Sequence, residues 1–101
     1  MRSWPLGSDV PLSFSVKVSG RQALLRDATA KIYKNDKEIT EIMATIRRNR
    51  VSTVIPSSAI KTTGDYVAIF DVNLADMGKQ EHPVPFKITK SPLGKKRINA
   101  D

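Results

Sequence analysis

The sequence contains no cysteine, a single histidine and only five glycines among its 101 residues. The lack of cysteine excludes disulfides, thiolate metal sites and cysteine nucleophiles, and it is compatible with synthesis in a reducing compartment. The histidine, His82, has no partner at a metal-binding spacing, so we expect a solvated surface residue. The glycines are isolated from one another and form no phosphate-binding loop. We therefore predict that the protein is not an enzyme and uses no cofactor or metal.

A long apolar run is also missing. No stretch approaches the ~20 residues that are needed to cross a bilayer. Residues 1–5 carry one basic side chain with no apolar segment behind it, so we do not expect a secretory signal. With 40% hydrophobic and 27% charged residues, the composition is that of one folded domain. We expect a protein made in the cytoplasm that does not enter a membrane.

Short segments of alternating apolar and polar residues occupy most of the chain. Residues 12–18 and 28–34 alternate in this way, which is the period of a half-buried strand. Residues 66–74 place five apolar side chains on one face. Val67 and Ile69 add apolar groups to the opposite face, so we predict that this strand is central in its sheet.

The last alternating segment contains two prolines. Val84, Phe86 and Ile88 would share one face of a strand. Pro83 and Pro85 cannot donate hydrogen bonds to a neighbouring strand, so we predict an edge position or a bulge where they lie.

The stretch from residue 38 to residue 46 fits two structures. Ile39, Ile42, Met43 and Ile46 fall at helical spacing. Ile42, Ala44 and Ile46 also alternate as in a strand, and residues 48–50 followed by 51–55 predict a hairpin. We favour a strand from about Ala44, preceded by a loop or a short turn.

About six or seven short strands at regular spacing, with turn residues between them, predict an all-β fold of the immunoglobulin-like β-sandwich class. We assign the sandwich to residues 12–89. Residues 1–11 contain two prolines and a glycine and are predicted to form an extended N-terminal arm. Residues 90–101 are predicted to form a basic C-terminal tail outside the core.

Basic residues are in excess, with a formal net charge of +7. This charge makes nucleic acid, anionic membranes and acidic protein surfaces candidate partners. One cluster lies at the predicted hairpin tip and a second lies in the tail. Neither has aromatic residues interleaved with it, so we do not expect specific nucleic-acid binding. Two interpretations of these clusters stay open: they bind an acidic protein surface, or the hairpin tip and the tail are simply solvated.

The arm holds one large apolar group, Trp4. An exposed tryptophan is often an interface anchor, but this side chain could equally pack back onto its own domain. The candidate partner-binding residues are Trp4, Arg47, Arg48, Arg50, Lys95, Lys96 and Arg97.

Four segments resemble a known family. Residues 55–60 (IPSSAI), 64–72 (GDYVAIFDV) and 82–88 (HPVPFKI) follow one another in the order and spacing of the small immunoglobulin-like domains of tailed-bacteriophage virion proteins, and residues 27–33 (DATAKIY) are similar to an early strand of the same family. These domains include the N-terminal domains of upper baseplate proteins and stand-alone domains on capsids and necks. The sequence departs from the family at residues 77–81, because Met77 separates the usual Asp-Gly turn pair.

The resemblance implies a non-enzymatic virion structural protein, made in the host cytoplasm and then part of the virion. A capsid decoration (cement) protein or a head–tail neck protein is the first expectation, with major capsid or neck and portal-region proteins as partners. A baseplate or adhesion-apparatus subunit and a basic nucleic-acid-binding module are the alternatives. Self-association, copy number and the interface surface stay open at this point.

Overall fold

The computed structural model describes residues 2–18, 21–22, 25–75 and 78–90. Within these residues there are ten β-strands and one short 3-10 turn, Ser57–Ala59, and no α-helix. The first five strands are β1 (Arg2–Pro5), β2 (Val10–Ser15), β3 (Lys17–Val18), β4 (Arg21–Gln22) and β5 (Leu25–Lys34). The next five are β6 (Lys37–Met43), β7 (Thr45–Arg47), β8 (Arg50–Ile55), β9 (Gly64–Leu74) and β10 (Gly78–Thr89).

Two sheets contain most of these strands. The larger has five strands in the order β1-β10-β9-β5-β6, and the smaller has three in the order β2-β8-β7. Strands β3 and β4 form a separate two-stranded hairpin. One core cluster draws its buried apolar residues from both sheets, so the sheets face each other across it. The all-β prediction is confirmed, and two sheets that face each other across one core are compatible with a β-sandwich.

Strand β9 is the centre of the larger sheet. It pairs with β10 on one side and with β5 on the other, and its alternate residues from Tyr66 to Leu74 are buried. Val67 and Ile69 on the opposite face are half-buried. The predictions of a strand over residues 66–74 and of a central position are therefore confirmed.

The prolines of β10 lie where its outer side is open. Pro83 and Pro85 face Ile69 and Val67 of β9 across the antiparallel pair. On its other side β10 pairs with β1, but only over residues 86–89. Among the described residues, the half of β10 that holds both prolines therefore forms a sheet edge, as we predicted from their missing N–H groups.

Residues 37–47 are extended throughout, so our expectation of a loop or short turn before Ala44 is wrong. Strand β6 pairs with β5 and strand β7 pairs with β8, which means that the chain changes sheets at Ala44. The Ala44 N–H donates to the carbonyl of Ala28 at 3.0 Å. The Thr53 hydroxyl donates to the carbonyl of Met43 at 3.2 Å and fixes the other side of the crossing.

The helical spacing in this stretch arises from the change of sheet and a bulge. Ile42 and Ile46 pack against the core from two different strands. Ile39 and Met43, which complete the apparent helical stripe, are 39% and 76% exposed. The register of β5 with β6 shifts between Ile32 and Tyr33, and such a bulge breaks the two-residue period.

The segment predicted as an N-terminal arm instead belongs to the sandwich over its described residues. Strand β1 runs parallel to β10, and the Leu6 N–H donates to the carbonyl of Thr89 at 2.8 Å. Val10 begins β2 and is 0% exposed. Backbone hydrogen bonds to β10 hold this segment, although its sequence has no strand alternation. Of the predicted tail, residues 91–101 lie outside the described residues.

Candidate partner-binding surface

The three arginines predicted at a hairpin tip come together there. Arg47 of β7 pairs with Arg50 of β8, and the turn between them has two residues, Arg48 and Asn49. The Asn49 side chain donates to the carbonyl of Val16 at 3.2 Å, and the Val16 N–H donates to the carbonyl of Asn49 at 2.9 Å. The turn is therefore held against the chain that follows β2, and the arginines stand on a fixed scaffold.

The smaller sheet presents an outer face that continues from this turn. One row across its three strands consists of Ser13, Ser52 and Thr45. The adjacent row consists of Ser15, Arg50 and Arg47. The side chains of alternate residues leave a strand on the same side, so the two rows lie on one face. We call this surface the arginine face, formed by Ser13, Ser15, Thr45, Arg47, Arg48, Arg50 and Ser52.

Arg50 lies across the short hydroxyl side chains of the neighbouring row. The Arg50 guanidinium donates to the Ser13 hydroxyl at 3.1 Å and so reaches from its own row to the next. A shallow depression of ≈ 730 Å³ follows the face, and Arg2 and Val54 are among the residues that line it. The row of Ser13, Ser52 and Thr45, which we call the hydroxyl row, has the arginine row on one side and Pro11 and Val54 on the other.

The charged side chains of the arginine face are all positive. No Asp or Glu occurs in the sequence between Glu41 and Asp65, or within β2. The carboxylates of the described strands belong to the larger sheet, among them Asp71 and Glu81. A face with several guanidinium groups and no carboxylate of its own is suited to bind carboxylate or phosphate groups on a partner.

Trp4 does not stand free as an anchor. It is half-buried, and its ring meets the ring of Phe86 edge to face with centroids 6.1 Å apart. The Arg2 guanidinium lies 5.0 Å from the centroid of the Trp4 ring. Of the two alternatives for this residue, the structure has the one in which Trp4 packs onto its own domain. Lys95, Lys96 and Arg97 lie outside the described residues.

His82 is not the solvated surface residue that we expected from the sequence. Its ring is half-buried and lies 5.0 Å from the ring of Phe14, and its Nε2 is 3.3 Å from the side-chain oxygen of Gln80. It is therefore a packing residue at the border of the core. Among the described residues no group of three or more His, Cys, Asp and Glu could hold a metal ion.

Arg2 and the hydroxyl row are parts of this surface that we did not predict from the sequence. Ser13 and Ser15 alternate with apolar residues in β2, which signals a solvent-facing side. The absence of carboxylates over residues 42–64 was a second available signal. The approach of Arg2 to this face depends on tertiary structure and has no local signature.

No family model matches the chain, and no curated protein or solved structure matches it. Its class is therefore defined by its own fold and surface: a small two-sheet all-β domain with a cationic sheet face. The described residues contain no helix that is long and apolar enough to span a bilayer.

Proposed function

We propose that this chain is a non-enzymatic structural protein of a tailed-phage virion that attaches to an acidic surface of neighbouring virion subunits through the arginine face. A capsid decoration protein or a head–tail neck component is the role that we favour. The observation that carries the proposal is the gathering of Arg47, Arg48 and Arg50 on a sheet face with no carboxylate. The virion setting rests on the resemblance of four sequence segments to phage immunoglobulin-like domains.

Rigid placement makes such a face effective. Each exposed ion pair contributes only about 0.2–1 kcal/mol, so a single arginine cannot hold a partner. The backbone of the hairpin fixes where the three arginines start, and the hydrogen bond to Ser13 holds the Arg50 guanidinium. The planar guanidinium group can form paired hydrogen bonds to a carboxylate. In a shell with many identical subunits, weak contacts repeated at many sites give firm attachment.

We further propose that the sandwich is immunoglobulin-like. Two features support this topology. Strands β2, β8 and β7 follow the B-E-D order of that fold, and β5, β9 and β10 follow its C-F-G order. In addition, the Tyr66 hydroxyl near the start of β9 donates to the carbonyl of Thr62 at 2.6 Å, which is the geometry of the tyrosine corner of immunoglobulin-like domains.

The segments that carry the resemblance lie in strands and one turn of the chain. Residues 27–33 lie in β5 and residues 64–72 lie in β9. Residues 55–60 end β8 and include the 3-10 turn, and residues 82–88 lie in β10. The resemblance is therefore carried by strands and one turn of the sandwich.

Charge reversal on the arginine face tests the proposal. The variant Arg47→Glu/Arg48→Glu/Arg50→Glu should lose co-sedimentation with assembled particles that lack the protein, because the cationic face becomes anionic. The matched control is Arg26→Glu/Lys37→Glu/Lys79→Glu. It makes the same change in net charge at exposed residues of the larger sheet, and it should still bind. Truncation of residues 1–11 is not a suitable test of binding, because it removes β1 and the buried Val10.

Two results would overturn the proposal. The first is electron microscopy of particles made with and without this chain that reveals no difference in density. The second is equal binding by the charge-reversal variant and its control. A mobility shift of DNA at physiological salt that is lost in the charge-reversal variant would instead indicate that the arginine face binds nucleic acid. Such binding depends steeply on salt concentration.

A further inference from the structure

The smaller sheet ends at β2, whose outer edge is unpaired in the described part of the chain. Strand β2 pairs with β8 on one side, and among the described residues no strand lies on its other side. In the immunoglobulin-like topology that we propose, the place beside β2 belongs to the first strand of the fold, strand A. Here β1 pairs with β10 of the larger sheet instead.

A hydrogen bond at the end of β2 shows which of its backbone groups point to this edge. The Val16 N–H donates to the carbonyl of Asn49 at 2.9 Å, so the pair that follows Ser15 along the ladder is a hydrogen-bonded pair. Hydrogen-bonded and non-hydrogen-bonded pairs alternate in an antiparallel ladder. Ser13 and Ser15 therefore belong to non-hydrogen-bonded pairs, and their N–H and C=O groups point away from β8. Pro11 has the same phase, so its missing N–H costs no bond to β8.

Strand addition is discouraged at the other edges of the two sheets. Strand β10 carries Pro83 and Pro85 on its open half, and β7 and β1 have only three and four residues. Strand β6 contains charged residues and pairs with β5 through a bulge. Strand β2 has six residues and presents the N–H groups of Ser13 and Ser15. A strand from another chain therefore finds the best set of donors and acceptors beside β2.

Positive charge lies next to these backbone groups. The Arg50 guanidinium donates to the Ser13 hydroxyl at 3.1 Å and so reaches from β8 to β2. A side chain opposite Ser13 on an added strand would lie about 5 Å from it. A carboxylate at that position is within reach of the Arg50 guanidinium and can accept paired N–H bonds from it. Arg2 lines the same depression as Ser13, so a second cationic residue borders this edge.

The chain has no carboxylate of its own in this position. Strand β2 contains no Asp or Glu, and neither do residues 42–64, which include β7 and β8. Asp9, the acidic residue nearest to β2 in the sequence, precedes the opposite end of the strand. Its carboxylate accepts from the Ser57 N–H at 2.8 Å.

Charge also disfavours two other occupants of this edge. A second copy that paired edge to edge through β2 would place two arginine faces side by side in one sheet. Residues 95–97 in the C-terminal segment of this chain are all basic. Like charges brought together oppose both arrangements, whereas an acidic segment meets no such repulsion.

We propose that an extended acidic segment of a neighbouring virion subunit adds to the smaller sheet as a strand beside β2. Its backbone pairs with Ser13 and Ser15, and its alternate side chains lie on the side of the arginine face, where Arg50 binds a carboxylate. Backbone hydrogen bonds give affinity in this mode of binding, and the side chains give specificity. The inference rests on the proposed function, because it names the part of the partner that the arginine face binds.

Two substitutions at Ser13 separate strand addition from charge attraction. Ser13→Pro removes the N–H at the edge, whereas Ser13→Ala retains it. Both remove the hydroxyl that holds Arg50, so the difference between them reports the backbone N–H. We expect Ser13→Pro to bind particles that lack the protein about tenfold more weakly than Ser13→Ala in co-sedimentation. Circular dichroism and the unfolding midpoint check that both variants fold.

Hydrogen exchange of the wild-type chain is a second measurement and needs no substitution. The amides of Ser13 and Ser15 should exchange rapidly in the purified chain and slowly on the particle, because the added strand provides their acceptors. Mass spectrometry of residues 11–16 should therefore detect two additional protected amides on binding. Slow exchange of both amides in the purified chain would overturn the proposal, since a second copy or another part of this chain would then cover the edge.

Equal binding by folded Ser13→Pro and Ser13→Ala variants would overturn strand addition, as would rapid exchange of both amides on the particle. If charge reversal of the arginine face still abolished binding, the proposed function would stand without it.

A wild-type chain that does not bind particles would end the proposed function, and a peptide then tests the edge. The probe is a terminally blocked peptide of alternating Glu and Val, and its counterpart has Lys in place of Glu. Shifts of the Ser13 and Ser15 amide resonances with the acidic peptide alone would support an acidic strand at this edge. Equal shifts with both peptides, or none with either, would overturn it.

Discussion

The hydroxyl of Tyr66 donates a hydrogen bond to the backbone carbonyl of Thr62, with an O···O distance of 2.6 Å. The Tyr66 ring stacks on the ring of Phe86, with centroids 5.4 Å apart and an interplanar angle of 13°. On the same ring, the Lys34 ammonium lies 5.2 Å from the centroid and donates to the Thr63 carbonyl at 2.7 Å. One buried tyrosine thus joins the core to the turn that leads into β9.

Replacement of Tyr66 by Phe should lower the free energy of unfolding by about 1–2 kcal/mol, because the ring stays in the core while the Thr62 carbonyl loses its donor. Chemical denaturation monitored by circular dichroism measures the change. Tyr33→Phe is the control, since Tyr33 is half-buried on the outer face, and it should change stability by less than about 0.5 kcal/mol. Equal effects of the two substitutions would contradict the role of the Tyr66 hydrogen bond.

Gly64, the first residue of β9, has φ +133°, a backbone conformation that is open essentially only to glycine. A Cβ added there would also lie 3.2 Å from Cε of Lys34. Gly64→Ala should therefore destabilise the protein by about 2–3 kcal/mol, from backbone strain and displacement of Lys34 from the turn.

Gly7 provides the comparison for this prediction. Its φ is +95°, but an added Cβ would meet nothing within 4 Å. Gly7→Ala should show strain alone, about 1–2 kcal/mol. If thermal unfolding gave equal losses for the two alanine variants, the contact with Lys34 would add nothing to the effect of Gly64→Ala.

Much of the sandwich could be predicted from sequence because its strands carry local signals. The buried alternation from Tyr66 to Leu74 reflects a central strand with one fully buried face. Strand β1 gave no such signal: Arg2–Pro5 is specified by parallel pairing with residues 86–89, far along the chain. The change of sheet at Ala44 could not be predicted from the sequence, because β6 pairs with β5 whereas β7 pairs with β8.

The candidate surface was also predictable only in part from the sequence. Arg47, Arg48 and Arg50 are close in sequence, so a hairpin prediction was enough to bring them together. Arg2 reaches the same depression only through the tertiary fold. The cross-strand pairing of Ile69 with Pro83 is likewise contained in no single segment of the sequence.

The crossing of the chain between sheets depends on Thr53, which is 8% exposed and donates to the carbonyl of Met43. Thr53→Val keeps the β-branched shape and removes the donor, so it should destabilise by about 1 kcal/mol. Thr45→Val, the same change at an exposed position of β7, should be near neutral. A near-neutral Thr53→Val in the same denaturation assay would mean that backbone pairing alone fixes the crossing.

Arg48 combines a structural penalty with a place on the arginine face. Its φ is +59°, in the left-handed region that disfavours side chains with a Cβ. Arg48→Gly should relieve this strain and raise the free energy of unfolding by up to about 1 kcal/mol. The same variant removes one guanidinium, so it should bind an acidic partner surface more weakly, by about twofold to fivefold. Arg48→Ala keeps the Cβ and should weaken binding equally without the gain in stability. A more stable Arg48→Gly variant with undiminished particle binding would mean that Arg48 is not part of the proposed interface. A variant that is more stable but binds more weakly would mean that Arg48 contributes to binding although its side chain destabilises the turn.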